Sequence, residues 1–252
     1  VTFSEGLQSI GDHAFYYCAA LTSADIPGSV TAIANWAFAY SGVREASIPG
    51  SVTAIGSYAF YNCASLATLT IGPGVQSIGY QAFRGCVSLK AVDIPGSVEA
   101  IEGYAFFGCT ALASLNLSPG LRTIGTYAFF NCGSITSVDI PGSVTAIGSY
   151  AFYYCSKMSS LTLGQGLKTI GDHAFYGCSA LRTVTIPNTV GSIEAYAFYG
   201  CTGMTSMYSD GSAPAVGTGW ISNRNASLKI FYHRGAAGFT SPTWQGVPTS
   251  TY

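Results

Sequence analysis

Hydrophobic and polar positions repeat along this chain with a nearly constant period. An Ala-Phe dipeptide marks each repeat, and successive phenylalanines lie 22 or 23 residues apart. The nine anchor residues are Phe15, Phe38, Phe60, Phe83, Phe106, Phe129, Phe152, Phe175 and Phe198. A short, regular period predicts a repeat protein, in which stacked coils form one continuous core that no single coil could form alone.

The third coil shows which elements the pattern predicts. Leu66, Leu69 and Ile71 end in strict alternation of apolar and polar residues, which is typical of a half-buried strand. One such strand per coil predicts a parallel sheet with strands about 4.8 Å apart. Gly and Pro then turn the chain out of the sheet, and residues 57–62 are predicted as one short helical or 3₁₀ turn that buries Phe60. We expect an α/β, right-handed solenoid with one parallel β-sheet, helical turns on the opposite face and a C-terminal cap.

The turn that follows each strand alternates along the chain. Four coils continue with Pro-Gly-Ser-Val after Ile26, Ile48, Ile94 and Ile140. The coils ending at Ile71, Leu117 and Leu163 instead place a glycine directly before Val75, Leu121 or Leu167. A 46-residue double repeat is therefore superimposed on the single one. In addition, residues 48–61 and 140–153 are identical, which favours a surface built by duplication over a unique catalytic pocket.

The period divides the chain into two parts. Residues 1–208 are predicted to form nine 22–23-residue coils, and Val1 and Phe3 fit the end of an earlier strand, so we expect the chain to start within a repeat. Residues 209–252 break the period. Within them, residues 228–232 read as one further strand, and the aromatic residues up to Tyr252 are predicted to cap the open end of the core.

The coil template has a specific counterpart among known families. The sequence Ile-Pro-x-Ser-Val-x-x-Ile-Gly-x-x-Ala-Phe-x-x-Cys-x-x-Leu-x-x-Leu-x-Ile resembles the BspA-like leucine-rich repeats of bacterial and some protozoan surface proteins, over about residues 1–208. Residues 232–244 resemble the closing segment of bacterial members. The resemblance implies a leucine-rich-repeat solenoid. It also implies a secreted or surface-anchored protein of a family described mostly as adhesins for host or matrix proteins, with no catalytic motif to transfer.

Composition and charge narrow the possible partners. The net charge is −1 and the ten Lys and Arg residues are scattered, whereas nucleic-acid binding normally needs a basic stripe. No apolar run approaches the roughly 20 residues that span a bilayer, so neither a nucleic-acid partner nor membrane insertion within this chain is expected. No cofactor is expected either.

Eight cysteines are the first candidates for chemistry. Each stands three residues after an anchor phenylalanine: Cys18, Cys63, Cys86, Cys109, Cys132, Cys155, Cys178 and Cys201. Metal sites need ligands that converge on one point, whereas this period arranges the cysteines in a line. We expect a reduced, buried structural cysteine ladder, with disulfides between neighbouring coils as the alternative.

Two surfaces are candidates for partner binding. The outward strand positions form a polar sheet face: Asp25, Glu45, Ser47, Thr70, Asp93, Asn116, Asp139, Thr162 and Thr185. An aromatic ridge follows the anchor phenylalanines: Tyr16, Tyr61, Tyr153, Tyr176 and Tyr199. Both sets also have a structural reading, since Ser and Thr are good strand residues and tyrosines can pack between coils. His13 and His173 occupy one repeat position that is elsewhere mostly aromatic.

Three functions remain open from the sequence. The first is an extracellular or cell-surface adhesion module that binds a host or matrix protein, or another surface protein. The second is a passive spacer that presents another domain. The third is glycan binding through exposed tyrosines. An enzyme is not expected, because no nucleophile, metal set or carboxylate pair stands out from the repeat.

Overall fold

The computed structural model describes residues 3–252. The strand end expected at Val1 lies outside these described residues. Each coil contributes one short strand and one long strand, which lie on different sides of the solenoid. The short strands are β1 (Ser9–Ile10), β3 (Ala32–Ile33), β5 (Ala54–Ile55), β7 (Ser77–Ile78), β9 (Ala100–Ile101), β11 (Thr123–Ile124), β13 (Ala146–Ile147), β15 (Thr169–Ile170), β17 (Ser192–Ile193) and β19 (Ala215–Val216). The long strands are β2 (Ser23–Asp25), β4 (Glu45–Ile48), β6 (Thr68–Ile71), β8 (Ala91–Ile94), β10 (Ser114–Leu117), β12 (Ser137–Ile140), β14 (Ser160–Leu163), β16 (Thr183–Ile186), β18 (Ser206–Ser209), β20 (Lys229–Tyr232) and β22 (Val247–Thr251).

The prediction of a single parallel sheet is wrong, because the short strands form a sheet of their own. All ten pair in parallel and in sequence order from β1 to β19. In the third coil Ala54 points outward and Ile55 inward. Two residues of alternation are too short to be recognised as a strand from one coil alone.

The long strands are hydrogen-bonded in groups. The first group contains β2, β4 and β6, the second β8 and β10, the third β12 and β14, and the fourth β16, β18, β20 and β22. Among the described residues no strand pairing joins one group to another. Each break precedes a strand that is followed by proline, namely Pro95, Pro141 or Pro187. Proline has no N–H to donate to the preceding coil, whereas the N–H of Gly72 donates to the Ile48 carbonyl at 2.8 Å. From β6 onwards the 46-residue double repeat thus reappears in the strand pairing, whereas β4 pairs with β2 although Pro49 follows it.

The third side of each coil contains turns, and the prediction of helical or 3₁₀ turns there is not confirmed: residues 3–252 contain no helix. Around Phe129, successive backbone N–H groups donate in turn to the next coil and to a carbonyl of the same coil. That of Phe129 donates to Ala151 in the next coil at 2.8 Å, whereas that of Phe130 donates back to Tyr127 at 3.2 Å. Tyr127 and Asn131 adopt left-handed conformations with φ of 60° and 57°, which interrupt any helix. The handedness of the solenoid stays a prediction.

The anchor phenylalanines form the centre of the core. Their rings stack face to face along the solenoid axis, with centroids 4.9–5.5 Å apart. Phe38 to Phe198 are fully buried, and Phe15 in the first coil is half-buried. The inward Val, Ile and Leu residues surround this stack, as the sequence predicts.

The cysteines lie beside the phenylalanine stack, and seven of the eight are buried. Each buried thiol donates to the carbonyl of the anchor phenylalanine in the preceding coil, as Cys132 does to Phe106 at 3.2 Å. Cys18 in the first coil is exposed. Burial raises the pKa of Cys63 to about 11 and that of Cys201 to about 12.

This arrangement predicts how the thiols react. At about pH 8 we expect one thiol per chain, Cys18, to react rapidly with a chromogenic disulfide reagent, because Cys18 is exposed whereas the other seven thiols are buried and out of reach of the reagent. In denaturant without reductant, all eight should react. Each pair of missing thiols would indicate a disulfide and contradict the reduced ladder.

The strand rows continue beyond the last Ala-Phe anchor. The predicted strand at 228–232 is confirmed as β20, and β22 pairs with it in parallel. An antiparallel strand, β21 (Thr243–Trp244), folds back on β22. Trp244 packs against Trp220 and Phe239, with ring centroids 5.5 and 4.9 Å away. The division between solenoid and cap at residues 208 and 209 stays a prediction.

Candidate functional site

The long strands present one exposed surface, which we call the long-strand face. Side chains alternate along each strand, as in β6, where Leu69 and Ile71 are buried while Thr68 and Thr70 are exposed. All nine residues predicted for the sheet face are placed outward and exposed. The alternation that buries the leucines thus exposes a set of polar side chains at regular spacing.

The strand register arranges most of these residues in one column. Asp25 pairs with Ser47 and Ser47 with Thr70, and further along Thr185 pairs with Tyr208. Neighbouring members can bond to one another, since the Asn116 amide donates to the Asp93 carboxylate. Within each group of paired strands, the column is therefore a strip of neighbouring side chains, with strands about 4.8 Å apart.

The N-terminal end of the face contains a shallow depression of about 400 Å³. Ala24 and Ala46 lie at its base, where later coils have Leu or Val, and Asp25 and Glu45 line it. Both acids are exposed and add negative charge to this end of the face. This end is suited to basic side chains of a partner.

The C-terminal end of the same face is aromatic. Tyr208 and Phe231 continue the outward column, and their rings stack with centroids 5.0 Å apart. Tyr252 packs edge-on against Tyr208 at 5.6 Å, and its hydroxyl donates to Asp210 at 3.3 Å. Lys229 Nζ lies 5.7 Å from the centre of the Phe231 ring. We call Tyr208, Phe231 and Tyr252 the aromatic platform.

The aromatic platform was missed by the sequence reasoning, although a signal exists. Tyr208 lies 23 residues after Thr185, and Phe231 lies 23 residues after Tyr208. Continuing the period beyond Cys201 would have placed both on the sheet face. The sheet face predicted from the sequence ends at Thr185 and so does not include these aromatic residues, the type that dominates binding hot spots.

The aromatic ridge is mainly a second stack of rings. Tyr153 stacks on Tyr176 at 4.6 Å, and Tyr176 stacks on Tyr199 at 4.7 Å. In the coil of Phe83, Arg84 occupies the ridge position, and its guanidinium lies 4.8 Å from the centre of the Phe107 ring in the next coil. From Tyr153 to Tyr199, neighbouring coils thus stack ring on ring, whereas Tyr16 has Ala39 in the next coil and is exposed. Burial and the neighbouring tyrosines raise the pKa of Tyr153.

The histidine position belongs to a similar stack. His173 lies between Tyr150 and Tyr196, with ring centroids 4.5 and 4.9 Å away. His13 stacks on Trp36 at 6.0 Å. Within residues 3–252 no group of three or more His, Cys, Asp or Glu side chains could hold a metal ion. No helix in this part of the chain could span a membrane.

The repeat identifies the family. A family model of the BspA type leucine-rich repeat region, with six copies, matches residues 1–90 and 76–205. The chain belongs to the BspA-type leucine-rich repeat family. No match was found among curated proteins. The family assignment explains the 22–23-residue coil and the strand in each coil.

Solved structures agree with this BspA-type fold. A leucine-rich repeat protein from Bacteroides ovatus is 22% identical, with a TM-score of 0.61 over 99% of this chain and 76% of its own. The T. pallidum leucine-rich repeat protein is 30% identical, with a TM-score of 0.62 over 68% of this chain and 81% of its own. A leucine-rich cell surface protein from Faecalibacterium prausnitzii is 25% identical, with a TM-score of 0.51 over 98% and 73% of the two chains.

Proposed function

We propose that this BspA-type protein is an extracellular or cell-surface binding module that attaches to a host or matrix protein, or to another surface protein, through its long-strand face. The observation that carries the proposal is the column of exposed polar side chains that leads into the aromatic platform. Aromatic residues beside polar groups are typical of interface hot spots. The family and its resemblance to a cell surface protein of Faecalibacterium prausnitzii support the location.

The charges along the face suggest how a partner would be oriented. Asp25, Asp93 and Asp139 lie towards the ends of their strands, whereas Arg44 and Lys90 directly precede theirs and are also exposed. Opposite charges on the two edges of a strip favour one orientation of a charged partner and increase its association rate. The affinity would come from the aromatic platform, and the charges would contribute mainly specificity.

Binding to an immobilised panel of purified host extracellular-matrix proteins tests this function. We expect at least one to bind, and the double variant Tyr208→Thr, Phe231→Thr to weaken that binding by at least about tenfold, since hot-spot residues contribute about 2 kcal/mol or more. Threonine is the matched replacement because Thr162 and Thr185 occupy the same strand position.

The control variant changes a different side of the solenoid. Thr123→Ala alters an exposed residue of the short-strand sheet, and it should leave the affinity unchanged. If no matrix protein bound, the spacer function would be favoured. Equal losses in both variants would show that the long-strand face is not the binding surface.

A further inference from the structure

One corner of each coil has a left-handed backbone, two residues after the anchor phenylalanine. The occupants of this corner position are Tyr17, Tyr40, Asn62, Gly85, Gly108, Asn131, Tyr154, Gly177, Gly200 and Asn223. Glycine and asparagine tolerate this conformation best. A tyrosine there is unusual and projects its ring from the corner that precedes the long strands.

Tyr154 differs from the other two corner tyrosines in its surroundings. Tyr17 and Tyr40 stack on each other, with centroids 4.5 Å apart. The next coil after Tyr154 has Gly177, and a Cβ atom at that glycine would lie only 2.6 Å from Tyr154 Cδ1. The missing side chain therefore lets the Tyr154 ring lie over the backbone of the next coil. The Tyr154 ring lies at 88° to the Tyr153 ring and at 73° to the Tyr176 ring, and Tyr154 is 47% exposed.

A groove of about 290 Å³ continues from this ring across the following coils, and we call it the glycine groove. Gly177 and Gly200 contribute no side chains to it. Asn223 lies at its far end, where its amide nitrogen is 3.9 Å from the position of a Cβ at Gly200. The remaining lining residues are Ser156, Tyr176, Ser179, Tyr199 and Thr202. None of these lining residues is Lys, Arg, Asp, Glu or His.

We propose that the glycine groove binds a hexopyranose unit of a neutral glycan. A pyranose has an apolar face, which can pack on an exposed aromatic ring, and Tyr154 supplies such a ring. It also has a rim of hydroxyls that both donate and accept hydrogen bonds, as do the Ser, Thr, Tyr and Asn side chains around the groove. The uncharged lining favours a neutral sugar over a sulfated or sialylated one, because no basic group would pair with the anion.

This proposal is independent of protein binding by the long-strand face. The ligand differs, and the glycine groove shares no residue with the nine-residue sheet face or the aromatic platform. The two can therefore be tested separately on the same protein. A variant of one site should leave binding at the other unchanged.

An array of neutral, sialylated and sulfated oligosaccharides tests the proposal on the full chain. We expect binding to a subset of neutral glycans, and the variant Tyr154→Asn should weaken it by at least about tenfold, as the loss of one aromatic contact at a binding centre typically does. Asparagine is a matched replacement, because Asn62 and Asn131 occupy the same corner with φ of 51° and 57°. The fold should therefore be retained, and the melting temperature checks this.

Three further variants separate ring stacking from other effects. Tyr154→Phe keeps the ring and should retain most of the affinity, whereas Asn223→Gly removes the amide and should reduce it. Tyr17→Asn removes a corner tyrosine whose ring is stacked on Tyr40 and should have no effect. The proposal is overturned if no neutral glycan binds, if anionic glycans are preferred, or if Tyr17→Asn and Tyr154→Asn reduce binding equally.

Discussion

Raising the pH from about 8 to about 11 is expected to unfold the protein, even with reductant present. The ordinary pKa of a cysteine thiol is about 8.5, whereas burial raises that of Cys63 to about 11 and that of Cys201 to about 12. Burial also raises the pKa of Cys86, Cys132 and Cys178. The folded state therefore holds these protons more tightly than the unfolded state does.

The sign of the effect follows from this difference. The protonated, buried thiols stabilise the folded state fully below about pH 8.5. This stabilisation is lost as the pH rises through the pKa values that these thiols have in the folded state. At about pH 11 Cys63 and Cys201 would each favour the unfolded state by about 2 kcal/mol or more. The raised pKa values of Cys86, Cys132 and Cys178 act in the same direction, and the whole stability of a typical domain is only about 5–15 kcal/mol.

Urea titrations at a series of pH values, with reductant, measure this effect. In the variant Cys63→Ala, Cys201→Ala, the free energy of unfolding should fall less steeply with pH, by up to about 1.4 kcal/mol per pH unit for each thiol removed. The slope is the useful quantity, because the alanines also lower stability at every pH by leaving small cavities. An unchanged slope would show that the thiols do not cause the alkaline unfolding.

Replacing Phe129 by alanine is expected to lower the free energy of unfolding by about 3–5 kcal/mol. The ring is fully buried and stacks between Phe106 and Phe152, at 5.3 and 5.2 Å, so its removal leaves a cavity that the neighbouring coils cannot fill without losing their own strand pairing. Chemical denaturation of the variant and the unmodified protein gives the difference.

The same substitution at the first coil is the matched control. Phe15 is half-buried, so Phe15→Ala should lower the stability much less than Phe129→Ala. Similar losses at the two positions would mean that ring burial does not determine the stability of the stack.

The buried core could be predicted from the sequence because a single coil already shows the complete pattern of apolar and polar positions. Leu66, Leu69 and Ile71 alternate with polar residues, and every coil repeats the same signal at constant spacing. The packing of one coil on the next then follows, because these side chains have nowhere else to be buried.

The turn side could not be predicted in the same way. Its backbone donates alternate N–H groups to the next coil, and such bonds leave no pattern within a single coil. A partial signal was present at the corner position, where Asn62, Gly85 and Gly108 tolerate left-handed conformations. Tyr58 gave no such signal, since a tyrosine with positive φ is held there by its surroundings.

The candidate site was predictable only where the Ala-Phe anchor marks the coil. The outward positions from Asp25 to Thr185 were predicted as a face, and the structure places them on it. Tyr208 and Phe231 were not. Tyr208 follows the last anchor and cysteine, Phe198 and Cys201, but Met204 and Met207 stand where most coils have Leu, Ile or Val. Before Phe231, Ile221 and Arg224 stand where the anchor Phe and the Cys would be. The strand pairing places them on the same face, in agreement with the 23-residue spacing from Thr185 to Tyr208 and Phe231.

Hydrogen–deuterium exchange, with and without the matrix protein that binds most tightly in the panel, tests the central claim most directly. If the long-strand face binds the partner, added protection should be confined to the long strands and be greatest at β18 and β20, which contribute Tyr208 and Phe231 to the aromatic platform. Added protection confined to the short strands, or to the corner at Tyr154, would contradict it.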